Sequence, residues 1–244
     1  MALIGAGLSI FYLLFFSQVM QIKDITINGL KTLKPEEILT VIDSEMNRNF
    51  LHPLHIKLQK NILFFDDAHT KSEILSQFPI IKALKIHKSY LHKMVVTITE
   101  RNAMGTWCFG QDSLTPPTAS CRYFDNEGYM WNKAIRSSGS LLLTIEDLRT
   151  MPENINKADS VFIEAIKNII VSLNALNIEI NKIELPNDPT DDLKVYINQD
   201  YYIVLNARLD LDKQLDALRI FLSSNKDMHP EYIDARIAGR IYYK

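Results

Sequence analysis

The sequence predicts an α+β protein in three parts. An N-terminal transmembrane helix occupies 1–22. A small β-α-α-β-β domain follows over 23–100, and a mostly antiparallel β domain with two helices over 101–244 ends on an open sheet edge. Three observations carry this reading. The first 22 residues, "MALIGAGLSIFYLLFFSQVMQI", contain no charged side chain. Alternating apolar residues and helix-start signals then succeed one another over about eighty residues. Beyond Arg101 strand signals dominate, and the last of them, "EYIDARIAGRIYYK", runs to Lys244.

As a helix the uncharged stretch would be about 33 Å long at about 1.5 Å per residue, enough to cross a hydrocarbon core. A cleaved signal peptide is the competing reading. It lacks a basic n-region, and Phe15, Phe16, Val19 and Met20 stand where small residues would be wanted. A single-pass anchor is the expectation. No Lys or Arg precedes it to set orientation by charge.

In "DITINGL", Ile25 and Ile27 alternate with polar neighbours as in a half-buried strand, and Gly29 ends it. Thr32 and Pro35 open a helix whose first turn carries Glu36 and Glu37. A second helix is expected from Thr70 to Phe78. "PIIKALKIHKSYLHKMVVTITER" then reads as two strands around a turn near Tyr90–His92.

In the distal part, strands are expected at 104–109, 121–125 and 128–132, and 140–157 is ambiguous. Val161, Ala165, Ile169 and Leu173 recur every four residues and define a helix over 157–176. Strands follow at 179–185, 193–198 and 201–206. A helix with a Leu211, Leu215, Leu218, Leu222 stripe spans 210–224, and end strands cover 232–237 and 239–243.

Composition limits function. With 47% hydrophobic and 23% charged residues the chain folds rather than staying disordered. A net charge of −2 with no Lys/Arg-rich run argues against nucleic acid. Residues 23–100 carry a net +2 and 101–244 a net −4, which suits a first domain nearer an anionic membrane. No glycine-rich phosphate loop and no G-x-S-x-G elbow occurs. His52 and His55 flank Pro53 and read as solvated, as do His87 and His92 beside a turn. Asp66–Asp67 and Asp191–Asp192 are adjacent pairs beside turns and read as solvated charges. No catalytic residue, cofactor or metal is expected.

Cys108 and Cys121 flank "FGQDSLTPPTAS", a loop with one Gly and two Pro between two strand-like arms. Two readings stand: a disulfide across a hairpin, given an oxidising compartment, or two reduced thiols.

Four patterns in order carry a resemblance: "ITINGLKTLKPEEIL", "FPIIKALKIHKSYLHKMVVTITERNAMGTW", "YFDNEGYMW" and "YIDARIAGRIYY". With the uncharged anchor they resemble the FtsQ/DivIB family of bacterial cell-division proteins. Glu100-Arg101 with Trp107, Asp125-x-x-Gly128 and Asp234-x-Arg236 match its motifs, whereas Ala103 stands for a usual Pro and Ile237 for a usual aromatic. The resemblance implies a POTRA domain at 23–100 and an FtsQ-type β domain beyond it. It also implies a scaffold of the division septum with its bulk outside the cytoplasm. The implied partners are FtsB and FtsL-like proteins at the C-terminal edge, through Arg236, Ile237, Gly239, Arg240, Ile241 and Tyr243, and an FtsK-like protein at the "IIKALKIHKS" strand. Two alternatives stand beside it: a POTRA-bearing accessory of secreted or outer-membrane polypeptides, and a wall hydrolase, for which the sequence offers no residue set.

Overall fold

A computed structural model describes residues 12, 18–48, 58–89, 92–110, 120–135, 142–149, 155–197, 201–225 and 228–244. The chain divides into two compact units, Met1–Arg101 and Asn102–Lys244.

The first unit is a three-stranded sheet, β1 (Asp24–Asn28), β3 (Lys93–Glu100) and β2 (Ile81–Ser89) in that spatial order, with helices α1 (Pro35–Met46) and α2 (Asp67–Gln77). β1 runs parallel to β3 and β2 antiparallel to it. Period-two burial on β3 turns Met94, Val96 and Ile98 toward Ile38, Ile42 and Ile74, which are fully buried. Gly29 leaves β1 at φ +89°, where a Cβ would fall 2.0 Å from the Ile98 carbonyl oxygen. Only glycine fits there. α2 starts at Asp67 rather than Thr70, because the Asp66 side chain caps it by accepting from the His69 amide at 3.0 Å.

The entry to α1 has a distant cap. Lys34 occupies the N-cap position, where its ammonium has no acceptor to offer the first helical turn, and its own amide donates to Glu37 Oε2 at 2.8 Å. Glu100, at the end of β3 and 4% exposed, accepts from the backbone amides of Lys31, Thr32 and Leu33 at 2.9–3.2 Å. Burial pushes its pKa up, but those amides outweigh burial and hold the carboxylate below its usual range.

Residues expected to end the anchor belong to this unit. The Ile22 amide bonds to the Lys60 carbonyl, the Ile62 amide to the Met20 carbonyl, and Ile22 is buried in the first core. Apart from Tyr12 and residues from Gln18 on, the expected transmembrane helix lies outside the described residues. Among the described residues, no helix is long and apolar enough to cross a membrane. His52 and His55 also lie outside them.

The second unit is built on one nine-stranded sheet. Its strands are β4 (Gly105–Phe109), β5 (Ser120–Phe124), β6 (Met130–Ala134), β7 (Leu143–Asp147), β8 (Ile180–Leu185), β9 (Asp192–Ile197), β10 (Tyr202–Asn206), β11 (Tyr232–Asp234) and β12 (Tyr242–Tyr243). Their order is β12-β11-β10-β9-β8-β7-β4-β5-β6. The sheet is mixed: β4–β7, β7–β8 and β10–β11 are parallel and the other five pairings antiparallel. Helices α3 (Ser160–Asn174) and α4 (Leu211–Ser224) are the crossovers of two parallel pairs. Both crossovers step toward β12, so a common handedness puts both helices on one face. A single core accordingly joins Phe162, Ile166 and Ile169 of α3 and Leu215 and Leu218 of α4 to the sheet's Ile183, Val195, Ile203 and Ile233.

The terminal strands are shorter than expected. In place of 232–237 and 239–243 the structure has three and two residues. Asp234 ends β11 by accepting from the Arg236 amide at 3.1 Å. A turn then closes from the Arg240 amide to the Ile237 carbonyl at 3.0 Å, with Gly239 at φ +74°.

Candidate functional site

The inward face of the large sheet is covered by the two helices, and the outward face satisfies itself. Lys182 pairs with Glu146 at 2.6 Å, and Lys194 with Glu184 at 3.1 Å. Tyr196, Tyr202 and Tyr232 stand in a row at centroid separations of 5.5 and 5.9 Å. Burial, with Glu184 beside it, pushes the Tyr196 phenol up to about 12. The sheet margins are the remaining main-chain surface, and the margin at β12 has the features of a docking edge.

β12 pairs on one flank with β11, Ile233 opposite Tyr243 and Asp234 opposite Tyr242. The Lys244 amide donates to the Tyr232 carbonyl at 3.3 Å, and the Glu231 amide donates to the Lys244 carbonyl. On its other flank β12 has no strand neighbour among the described residues. Such a flank can take a further strand.

Beside it lies a groove of about 570 Å³ between α4 and the terminal turn, lined by Ala217, Ile220, Phe221, Ala238, Gly239 and Ile241. The Phe221 ring lies 5.3 Å from that of Tyr243, so groove and edge are continuous. Ile220 is 66% exposed, and Ile237 and Tyr243 are just over half exposed. This apolar surface is contiguous, unlike a scatter of single exposed residues.

The structure thus gathers Ile237, Gly239, Ile241 and Tyr243 around one groove and edge. Arg240 is exposed and joins no ion pair among the described residues. Arg236 is placed differently from the sequence reading, which aimed it at a partner's acidic groups. Its guanidinium lies 2.6 Å from both Asp192 Oδ2 and Asp234 Oδ2 and is already neutralised within the domain. The Asp234 hydrogen bonds, followed by those of Asp192, raise its pKa further above the ordinary arginine value. The sequence reading missed Ile220, Phe221 and Tyr242. The two helix residues lie off the leucine stripe of α4, which is the available signal.

Cys108 and Cys121 are directly opposite on β4 and β5, with Cα atoms 4.0 Å apart, and form a disulfide. In the first unit, β2 lies at a margin with Lys82 and Lys85 exposed, while Lys88 pairs with Asp67 at 3.0 Å. Among the described residues, no group of three or more His, Cys, Asp or Glu side chains is placed to hold a metal.

The first unit is thus a β-α-α-β-β module, and the sheet of the second ends on a strand with one flank unpaired among the described residues. Residues 20–101 match the family model described as "POTRA domain, FtsQ-type". That match lies within the first unit and leaves the second unit uncovered. No curated protein matches the chain. The FtsQ-type domain supports a role in cell division through protein–protein interaction.

Proposed function

We propose that this protein is a bitopic scaffold of the division machinery, linking early and late division proteins and controlling septal wall synthesis. A partner segment of the FtsB type, with an FtsL-like companion, adds as a strand along β12 and places apolar side chains in the groove beside α4. The observation that carries this is the coincidence of a two-residue marginal strand with a continuous apolar groove, in a chain with an FtsQ-type POTRA domain. Main-chain hydrogen bonds would give affinity, and side chains on alternate faces selectivity. The margin at β2 is the docking place for an FtsK-like protein. The uncharged segment ahead of Met20 anchors the chain in the cytoplasmic membrane with the bulk outside, and the Cys108–Cys121 pair suits an oxidising compartment.

Depleting the protein in its source cells should yield filaments without septa, and a fluorescent fusion should concentrate at midcell. A chain truncated after Ala235 should lose capture of the FtsB-type partner. Capture that survives this truncation rejects the edge, and normal division on depletion rejects the role.

A further inference from the structure

The two walls of the groove beside β12 come from different parts of the chain: α4, and the turn 237–241 between β11 and β12. We propose that a hydrogen-bonded chain of four residues, Arg236–Asp192–Asn206–Gln214, linked by side chains except at the Asn206 main chain that Gln214 grips, sets these walls against each other. Arg236 is then a positioning residue rather than a contact for the partner. This inference rests on the docking reading only for its purpose; its geometry stands apart from it.

The chain begins in α4. Gln214, fully buried, accepts from the Asn206 amide at 2.9 Å and donates to the Asn206 carbonyl at 3.1 Å. It satisfies both main-chain groups at the end of β10, as a neighbouring strand would, and so fixes where α4 sits. The Asn206 side chain turns the chain into the helix, its Oδ1 accepting from the Arg208 and Leu209 amides at 3.0 Å. Its Nδ2 donates to Asp192 Oδ1 at 2.7 Å. Asp192 and Asn206 are paired residues of β9 and β10, and both are buried.

The second oxygen of Asp192 accepts from Arg236 Nη1 at 2.6 Å. The remaining fork of Arg236 grips Asp234, with Nε at 3.0 Å and Nη2 at 2.6 Å from its two oxygens. A planar five-donor guanidinium can bridge two carboxylates in this way and an ammonium cannot.

The terminal segment depends on that grip. The Ala235 amide bonds to the Val204 carbonyl, so the sheet holds the chain up to Ala235. From 236 to 241, the hydrogen bonds that reach outside the segment are, among the described residues, those of Arg236. The Arg240–Ile237 bond closes the turn on itself. Gly239, with open space around its Cβ position, adds no steric hold. Besides Ile241, which packs against the core, the side chain of Arg236 ties the outer wall to the sheet, and Gln214 ties the inner wall to the same pair of strands. Networks of buried polar groups act as units, so a break at one end is felt at the other.

The test is amide hydrogen exchange, read by mass spectrometry on the full chain with no partner present. Arg236→Lys keeps the charge but loses the fork, and Gln214→Met keeps the volume but loses both hydrogen bonds. Each should speed exchange over 236–244 by about tenfold or more while leaving β8 and β9 unchanged. The double variant should be no faster than the more affected single one, because one chain is cut twice. Unchanged exchange over 236–244 in Gln214→Met, with faster exchange confined to α4, overturns the proposal. So does additivity of the two changes. Failure here leaves the docking edge standing, because that is judged by the Ala235 truncation and partner capture.

Discussion

Trp107 Nε1 donates to Asp147 Oδ2 at 3.1 Å, joining two side chains with no solvent exposure on the adjacent parallel strands β4 and β7. The carboxylate also receives Arg149 through Nε and Nη2, each at 2.8 Å, and the Arg149 guanidinium lies 4.3 Å from the Phe162 ring centroid. Asp147 thus joins β4 and β7 to α3. Its hydrogen bonds raise the Arg149 pKa, against a burial effect that lowers it. Replacing Asp147 with Ala strands both an indole N–H and a half-buried cation. The expected loss is about 3–5 kcal/mol, the usual cost of leaving one partner of a buried pair alone. Urea denaturation followed by tryptophan fluorescence reads it directly, because Trp107 and Trp131 are the chain's two tryptophans and both lie in the second unit. An unchanged midpoint would show that water takes over the role of the carboxylate.

The cysteine pair gives a second prediction. Cys108 and Cys121 face each other in register, and the residues between them include the stretch 111–119, which lies outside the described residues. Closing a loop of this length lowers the entropy of the unfolded chain, a stabilisation of about 3 kcal/mol at 25 °C. A Cys108→Ser/Cys121→Ser double variant should unfold at correspondingly lower denaturant. Both thiols of the wild-type protein should resist alkylation under denaturing, non-reducing conditions and react after reduction. Ready alkylation before reduction would show the pair to be open in the native protein.

Glu100 makes a third. Three consecutive amides ahead of α1 converge on its carboxylate, a concave arrangement that selects an anion. Glu100→Gln keeps the size but removes the charge and puts a donor where an acceptor is needed. The first unit should lose about 1.5–3 kcal/mol, the range for hydrogen bonds to a charged group. Exchange of the Lys31, Thr32 and Leu33 amides should rise first. Their continued protection in the variant would contradict the assignment.

Much of this architecture could be read from residue spacing, and its gaps have physical causes. The α3 and α4 stripes were plain, because helical periodicity survives whatever the sheet does. β7 fell in an ambiguous stretch. It runs between parallel neighbours β4 and β8, and parallel strands buried on both faces lose the alternation that marks a half-exposed strand. The terminal edge was located, but its strands were drawn too long. The sequence gives no sign that Asp234 would turn its carboxylate onto the Arg236 amide and end the strand there. In sequence Arg236 reads as a charge for a partner, because nothing local places Asp192, 44 residues earlier, beside it. Long-range ion pairs of this kind leave no local pattern.

Acid should open the terminal edge before it unfolds the core. Arg236 holds the Asp234 carboxyl below its usual range, chiefly by the side-chain hydrogen bond and against a smaller effect of burial. A carboxylate whose pKa is depressed on folding adds stability that is fully present above the unfolded value, near 3.8. That contribution fades as pH falls from about 4 through the lower folded value, because the unfolded chain takes up its proton first. Asp188 is shifted the same way by the Thr190 hydroxyl and amide, so the loop before β9 weakens over the same range. Once intrinsic exchange is corrected for pH, protection of 236–244 should fall between about pH 4 and pH 2. An Asp234→Asn variant should show weaker protection at neutral pH and a flatter profile. A wild-type profile as flat as the variant's would mean that the Asp234–Arg236 pair does not hold the turn.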